Sequence, residues 1–441
     1  MKILGLDVGS SSVKAGIVRD GKVVGRLARS NFPTLFDGPR VEVDPPTLMA
    51  AMARAITDLG PVARKVDAIG LSVMSPAWLA MDRRGKPLTP LITHQDRRSV
   101  EISHQLLARV GQARYLKIAG NLPFPGGISA STLAWFAANA PSVLRRADLV
   151  GHLNTYLHRQ LTGERVIDVS NASFTGLYET IKQGGWSPSL CEAAGIEQSK
   201  LPQIFESNVI AGRITTRAAR FGLVSGTPVF AGIIDTSAAM MLAGATPGQL
   251  LNVTGSTDVL GLCADRPRPR PNLLTRALGV GRLWMSVATL AATGSAMSWA
   301  KNQFFEDLST SAFYKLISRL AEKPPATQRD PASSSLVFEP YLAGERASID
   351  QKQASISGLT LSTTREDILA ALIEALAAAS GARLKLLAAN EVRIRHHVIT
   401  SGGAAHSLHK IIHRDWPGKW TFRFEDEASL RGLSMLNPVA R

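Results

Sequence analysis

Short apolar runs and helical apolar spacing alternate along the chain. Residues 1–25 read as an apolar strand, a tight polar turn and a second apolar strand. Apolar positions in 47–60 and 99–110 recur at helical spacing, and Val66–Val73 is a compact run that predicts a buried strand. Leu91-Ile92-Thr93 is short and strand-like, and Val229–Ile234 predicts a further strand after the turn Ser225-Gly226-Thr227-Pro228. Residues 249–263 repeat the opening hairpin pattern. Pro324 to Ser335 reads as a surface loop, and His397–Thr400 as a strand. A helix is expected from Thr363, with Glu366 three residues on as a capping box and Leu369, Leu372, Ile373 and Leu376 as its apolar face. Strands alternating with helices predict an α/β fold. Two halves of similar length that start alike predict a duplicated architecture with a cleft between them.

The chain has 441 residues, enough for about two to three domains. No apolar run reaches the roughly 18 residues of a membrane span, and Asp7 breaks the first apolar run, so a signal peptide is not expected. Cys191 and Cys263 alone make neither a disulfide framework nor a metal quartet, and a cytoplasmic chain is expected. The net charge is +15. The basic residues are dispersed and their densest run, 266–271, is loop-like. A solvated surface is therefore the expectation rather than a nucleic-acid partner, and an anionic substrate is compatible with it.

The chemistry concentrates in the turns. Asp7-Val8-Gly9-Ser10-Ser11-Ser12 and Thr254-Gly255-Ser256-Thr257 each follow an apolar strand. Small residues let the backbone approach a ligand, and N–H and hydroxyl donors suit phosphate oxygens. A carboxylate beside phosphates, as at Asp7, makes sense with a divalent cation between them. Asp235 ends a strand, where it can serve as a general base or as the N-cap of the next helix. Ser401-Gly402-Gly403-Ala404 suits an adenosine lying against backbone, or is a plain structural turn. Gln95-Asp96-Arg97-Arg98 can clamp a polyol or form a surface ion cluster. His406, His409 and His413 share a helix face without acidic or cysteine partners, so a solvated face is expected rather than a metal site.

In their order along nearly the whole chain, these pieces resemble the FGGY carbohydrate kinases of the actin/hexokinase/Hsp70-like ATPase superfamily. Asp7 to Ser12 with Lys14 is similar to the family's first phosphate loop. Gly85-Lys86-Pro87-Leu88-Thr89-Pro90 leads to Gln95-Asp96-Arg97-Arg98, as in a family segment. Asp168-Val169-Ser170-Asn171-Ala172-Ser173 resembles the middle signature, and Gly232-Ile233-Ile234-Asp235 the segment of the catalytic aspartate. Gly255, Ser256 and Thr257 resemble the second phosphate loop, and Ala292-Thr293-Gly294-Ser295 a nucleotide-side glycine segment. Gly402, Gly403 and Ala404, with Ser407 beyond them, resemble the adenosine loop.

The resemblance implies two actin-like (ribonuclease H-like) α/β domains: residues 1–241, binding sugar, and residues 242–441, binding nucleotide. It implies ATP and Mg²⁺, with Asp7 holding the metal through water, Asp235 as base, and a small sugar as partner. No nucleic-acid or membrane partner is implied, and a homodimer is an allowed assembly. Met74, Ser75, Trp78, Gln95, Asp96 and Asp235 would face the sugar, Trp78 either stacking on it or lying in the core. Val73 to Trp78 and His94 depart from the family pattern at the segments that touch the sugar. A xylulose-like ketose is the expected substrate, with an aldonate or polyol, or a non-catalytic sensor on the same fold, as alternatives.

Overall fold

The computed structural model describes residues 1–322, 336–390 and 392–438; the loop expected at Pro324 to Ser335 lies outside the described residues. The chain forms two compact units, each discontinuous in sequence. The first comprises Met1–Pro247, Cys263–Ser286 and a segment starting at Glu427, and the second Gly248–Leu262 and Val287–Asp426. This division is more interwoven than a single break at 241/242, and buried contacts within the first unit show why. Thr275 donates its N–H to Asn121 Oδ1 and accepts from Asn121 Nδ2, both at 2.7 Å. Leu430, Leu433 and Leu436 share a core with Ile3, Val18, Ala68 and Phe230.

The main sheet of the first unit runs Ile210–Arg213, Pro228–Phe230, Ala68–Val73, Ile3–Val8, Ser12–Arg19, Lys22–Asn31, with Ile233–Ile234 also on Ala68–Val73. Ile3–Val8 pairs antiparallel with Ser12–Arg19 and parallel with Ala68–Val73. Both of these parallel strands are buried along their whole length, which explains their unbroken apolar runs. Helix Pro45–Leu59 starts where the Asp44 carboxylate accepts from Thr47 N–H at 2.9 Å. It buries Leu48, Met52, Ala55 and Ile56 in the core that also holds Val13, Ala15 and Ile17. The expected strand over 229–234 is two pieces, because Gly232 adopts φ +97° and breaks it.

The second unit repeats the plan. Leu250–Thr254 pairs antiparallel with Asp258–Ala264 and parallel with His397–Ser401, which pairs in turn with Thr421–Phe424. The long helix is Arg365–Ala388, one residue later than expected, with Thr364 and Asp367 forming the capping box. Thr363 is held instead in a turn with Thr360. Leu369, Leu372, Ile373 and Leu376 do form its buried face. Of the three histidines at helix Ala405–Ile412, His406 is solvent-exposed as expected, while His409 and the C-cap His413 are half-buried. His406 stacks on Phe424 at 4.3 Å, and His409 and His413 pack on Phe422. Among the described residues no three His, Cys, Asp or Glu side chains could hold a metal ion together, and no helix is long and apolar enough to cross a membrane.

The short helix Ala428–Gly432 packs on helix Asp235–Leu242 so closely that a Cβ on Gly432 would lie 1.8 Å from the Ala238 carbonyl oxygen. Gly432→Ala is therefore expected to destabilise the protein by about 1–3 kcal/mol, the usual range for overpacking. Urea denaturation with an unchanged midpoint would show that the contact relaxes freely.

Candidate active site

Three parallel strands of the first unit deliver the acidic residues to one end of its sheet. Asp7 lies opposite Ser72, Ser72 lies opposite Ile233, and Val73 lies opposite Ile234, so Asp235 follows at the same carboxyl edge. Ligand sites in open α/β sheets form at such edges. Asp235 is not the N-cap. Ile234 occupies that position without a side-chain cap, and Asp235 is the first residue of helix Asp235–Leu242. Its Oδ1 accepts from the Thr236 N–H. Just beyond it, the fully buried Arg276 donates to Ser237 Oγ and, at 2.7 Å, to Thr236 Oγ1.

Asp7 is almost wholly buried. It accepts from Ser72 Oγ at 2.6 Å and from Ser429 Oγ at 3.2 Å. Burial pushes its carboxyl up to about 6, against the Ser72 hydrogen bond and the Lys14 charge; the nearby Asp235 and Glu427 carboxylates push the same way as burial. Lys14, expected at the phosphates, is ion-paired with Glu427. Gly9 closes the first loop by donating to Ser12 carbonyl oxygen at 3.0 Å, leaving Ser10 and Ser11 exposed and Ser12 buried.

A buried hub supports the strand that carries Asp235. The Asp168 carboxylate accepts from Ser170 N–H at 2.9 Å, Asn171 N–H at 3.1 Å, Asn154 Nδ2 at 2.8 Å and Asn171 Nδ2 at 2.6 Å, and from the Ser170 hydroxyl. Ser170 Oγ in turn accepts from Ile234 N–H at 3.1 Å.

Of the expected sugar residues, Met74 continues the Ala68–Val73 strand and donates its N–H to the Val8 carbonyl at 2.8 Å, which sets it at the same carboxyl end of the sheet as Asp7. Gln95 is half-buried, and among the described residues its side-chain amide has no hydrogen-bond partner. The Asp96 expectation is revised, and Trp78 takes the second of its two expected places. Asp96 is fully buried, and its oxygens accept from Val41 N–H at 3.0 Å and from the Arg98 guanidinium at 2.7–3.0 Å, so it braces the segment and offers no oxygen to a sugar. Trp78 is 2% exposed and meets Phe136 edge-on at 5.2 Å, so it is a core residue.

In the second unit three glycine turns meet backbone to backbone. Gly294 N–H donates to the Gly255 carbonyl at 3.1 Å, Thr293 and Ser295 N–H to the Ser256 carbonyl at 2.9 and 3.1 Å, and Ala404 N–H to the Thr254 carbonyl at 3.0 Å. A Cβ on Gly402 (φ +101°) would lie 2.3 Å from the Thr254 carbonyl oxygen, and one on Gly294 would lie 2.4 Å from that of Gly255. Gly255 and Gly403 instead face open space, with nothing within 4 Å of where a Cβ would sit. Thr257 closes the turn by accepting from Gly255 N–H at 2.8 Å, and Ser407 is exposed one turn into helix Ala405–Ile412. Asp258 pins this corner, accepting from Thr254 Oγ1 and Arg383 Nη2, each at 2.6 Å.

The FGGY family of carbohydrate kinases matches in two blocks, its N-terminal domain over residues 2–241 and its C-terminal domain over residues 250–410. The chain belongs to the FGGY family of carbohydrate kinases. It is 30% identical to a glycerol kinase of Thermococcus gammatolerans, over 85% of this chain and 76% of that one. It is 25% identical to a xylulose kinase of Escherichia coli, over 91% of this chain and 82% of that one. The crystal structure of xylulose kinase from Rhodospirillum rubrum superposes with a TM-score of 0.83 at 26% identity, covering 99% of this chain and 89% of that one. As an FGGY kinase the protein is a phosphotransferase that uses ATP.

The second unit fits the nucleotide. Its open Gly255 and Gly403 positions leave a cradle that side chains would fill, and helix Gly294–Phe304 begins beside it. Sequence reasoning missed Ser72, Arg276, Glu427 and Ser429. They lie far from Asp7 and Asp235 along the chain or carry common residue types, and only the motif order around Asp168 gave any signal for the supporting hub.

The raised pKa of Asp7 has a definite sign. Between its ordinary value of 3.8 and about 6 the folded state holds the proton more tightly than the unfolded chain, so Asp7 makes the protein lose stability as pH rises through that window. Asp7→Asn is expected to flatten this part of the ligand-free stability profile and to raise stability at pH 7.5 by about 1–3 kcal/mol, while turnover collapses. Equilibrium denaturation from pH 3.5 to 7.5 checks it; a wild-type slope in the variant would remove Asp7 as the source.

Proposed function

We propose that this kinase transfers the γ-phosphoryl group of ATP to a hydroxyl of a small sugar, a xylulose-like ketose first, with Asp235 as general base. The observation that carries the reading is Asp235 at the carboxyl edge of the parallel strands, outside the cap position and beside Asp7. Asp235 takes the proton as the sugar hydroxyl attacks. Arg276 holds the Thr236 and Ser237 hydroxyls and so fixes the first turn behind the base. Met74, Ser75 and Gln95 bind the sugar. The first phosphate loop, Gly9 to Ser12, and the second, Gly255 to Thr257, present backbone N–H and hydroxyl donors to the phosphates, and Gly294, Gly402, Gly403, Ala404 and Ser407 line the nucleotide.

Asp7 fits Mg²⁺ through water, since a buried carboxylate with Asp235 and Glu427 nearby carries excess negative charge. A divalent cation supplies charge neutralisation at the phosphate oxygens. The first unit is assigned the sugar side and the second unit the nucleotide side, in a cytoplasmic enzyme. The xylulose preference rests on likeness to xylulose kinases, and the glycerol kinase relative makes a polyol the competing reading. A coupled kinase screen over ketoses, aldonates and polyols tests it. Turnover on glycerol alone would replace the ketose assignment while leaving the role of Asp235 intact.

Asp235→Asn is expected to lower kcat by about 10²–10⁴-fold, the usual cost of losing a general base, with calorimetric ADP affinity unchanged. Near-normal turnover would remove Asp235 as base. A Cβ added at Gly403 meets nothing within 4 Å, so the melting temperature of Gly403→Val should match wild type while the ATP KM rises and the sugar KM holds. Equal rises in both KM values would place Gly403 outside the nucleotide site.

A further inference from the structure

The first unit contains a cavity of about 1010 Å³ lined by none of the residues assigned to catalysis. Its walls carry four cations, Arg84, Lys86, Arg217 and Arg220, against one carboxylate, Asp82. Asp82 Oδ1 is already engaged, accepting from the N–H groups of Arg84 at 2.8 Å and Lys86 at 2.9 Å. Among the described residues, none of the four cations forms an ion pair.

Both cation-bearing turns are anchored. Gln160 Nε2 donates to the Gly85 carbonyl and Arg159 Nη2 to the Arg83 carbonyl, each at 2.7 Å, tying the first turn to helix Leu153–Leu161. The turn Thr216–Phe221 is capped by Thr215 Oγ1, which accepts from Ala218 N–H at 3.3 Å. The Arg220 guanidinium lies over the Phe221 ring at 4.8 Å, and buried Tyr156 and Phe221 add apolar wall. Like charges gathered around a concave wall focus a positive potential that only an anion relieves. A guanidinium fork pairs two oxygens of either a phosphate or a carboxylate. A phosphate group, however, brings up to two negative charges and three acceptor oxygens where a carboxylate brings one charge and two, so clustered cations favour the phosphate.

We propose that this cavity is a binding site for a small phosphorylated molecule carrying at least two negative charges, separate from the nucleotide and sugar sites. The test uses the full chain with saturating ADP, so that the nucleotide site is occupied, and inorganic pyrophosphate as probe. Isothermal titration is expected to show one further pyrophosphate per chain. Arg217→Ser combined with Arg220→Ser should weaken that binding at least tenfold without changing the melting temperature or the kcat measured without pyrophosphate. Citrate, a phosphorus-free polyanion, is expected to bind more weakly than pyrophosphate. No binding to the ADP-saturated wild type, undiminished binding to the double variant, or citrate binding as tight as pyrophosphate would each overturn the proposal.

Discussion

The parallel pairing of Ile3–Val8 and Ile233–Ile234 with the strand Ala68–Val73 between them is the constraint on which the catalytic edge depends. A one-residue slip in either pair would turn the acidic residues toward the opposite face. With both faces of these strands apolar, the register is marked by polar contacts: Ser72 Oγ donates to Asp7 across the first pair at 2.6 Å, and Ile234 N–H donates to Ser170 Oγ at 3.1 Å. The same burial removes Asp7 from water and lifts its pKa, so the interaction that builds the edge also stores an electrostatic cost in the ligand-free protein. Under the role proposed for Asp7, a bound cation would offset that cost.

In each unit a saturated, buried carboxylate braces the candidate site from behind. Asp168 gathers amide, hydroxyl and backbone donors and reaches the Asp235 strand through Ser170. Asp258 ties the second glycine turn to helix Arg365–Ala388 through Arg383. Buried networks of this kind are costly when any member is missing and rigid when complete. Rigidity is what phosphoryl transfer needs, since its catalysis is mainly positioning and electrostatics.

The region that selects the sugar is built differently from what the motifs suggested. Asp96 and Arg98 are engaged with each other and Trp78 lies in the core, so their part in recognition is to hold the backbone. Of the residues proposed to meet the substrate, Met74, Ser75, the amide of Gln95 and Asp235 remain. A site with so few charged groups exerts its selectivity through shape and a small number of hydrogen bonds.

The sequence by itself determined the α/β class, the duplicated hairpins, the glycine turns, and Asp7 and Asp235 at strand ends. Those signals are local: apolar periodicity, small residues where backbone must approach, and an acid closing an apolar run. Tertiary structure decided what each polar side chain does. Asp235 is placed by the backbone at Ile234 and Thr236, Asp96 by its neighbour Arg98 together with the distant Val41, and Lys14 by Glu427 from the far end of the chain. The return of the segment starting at Glu427 to the first unit, with Ser429 on Asp7 and Gly432 against Ala238, was likewise invisible, because serine and glycine carry no periodic signal. Only packing at close range reveals why those positions take such small residues.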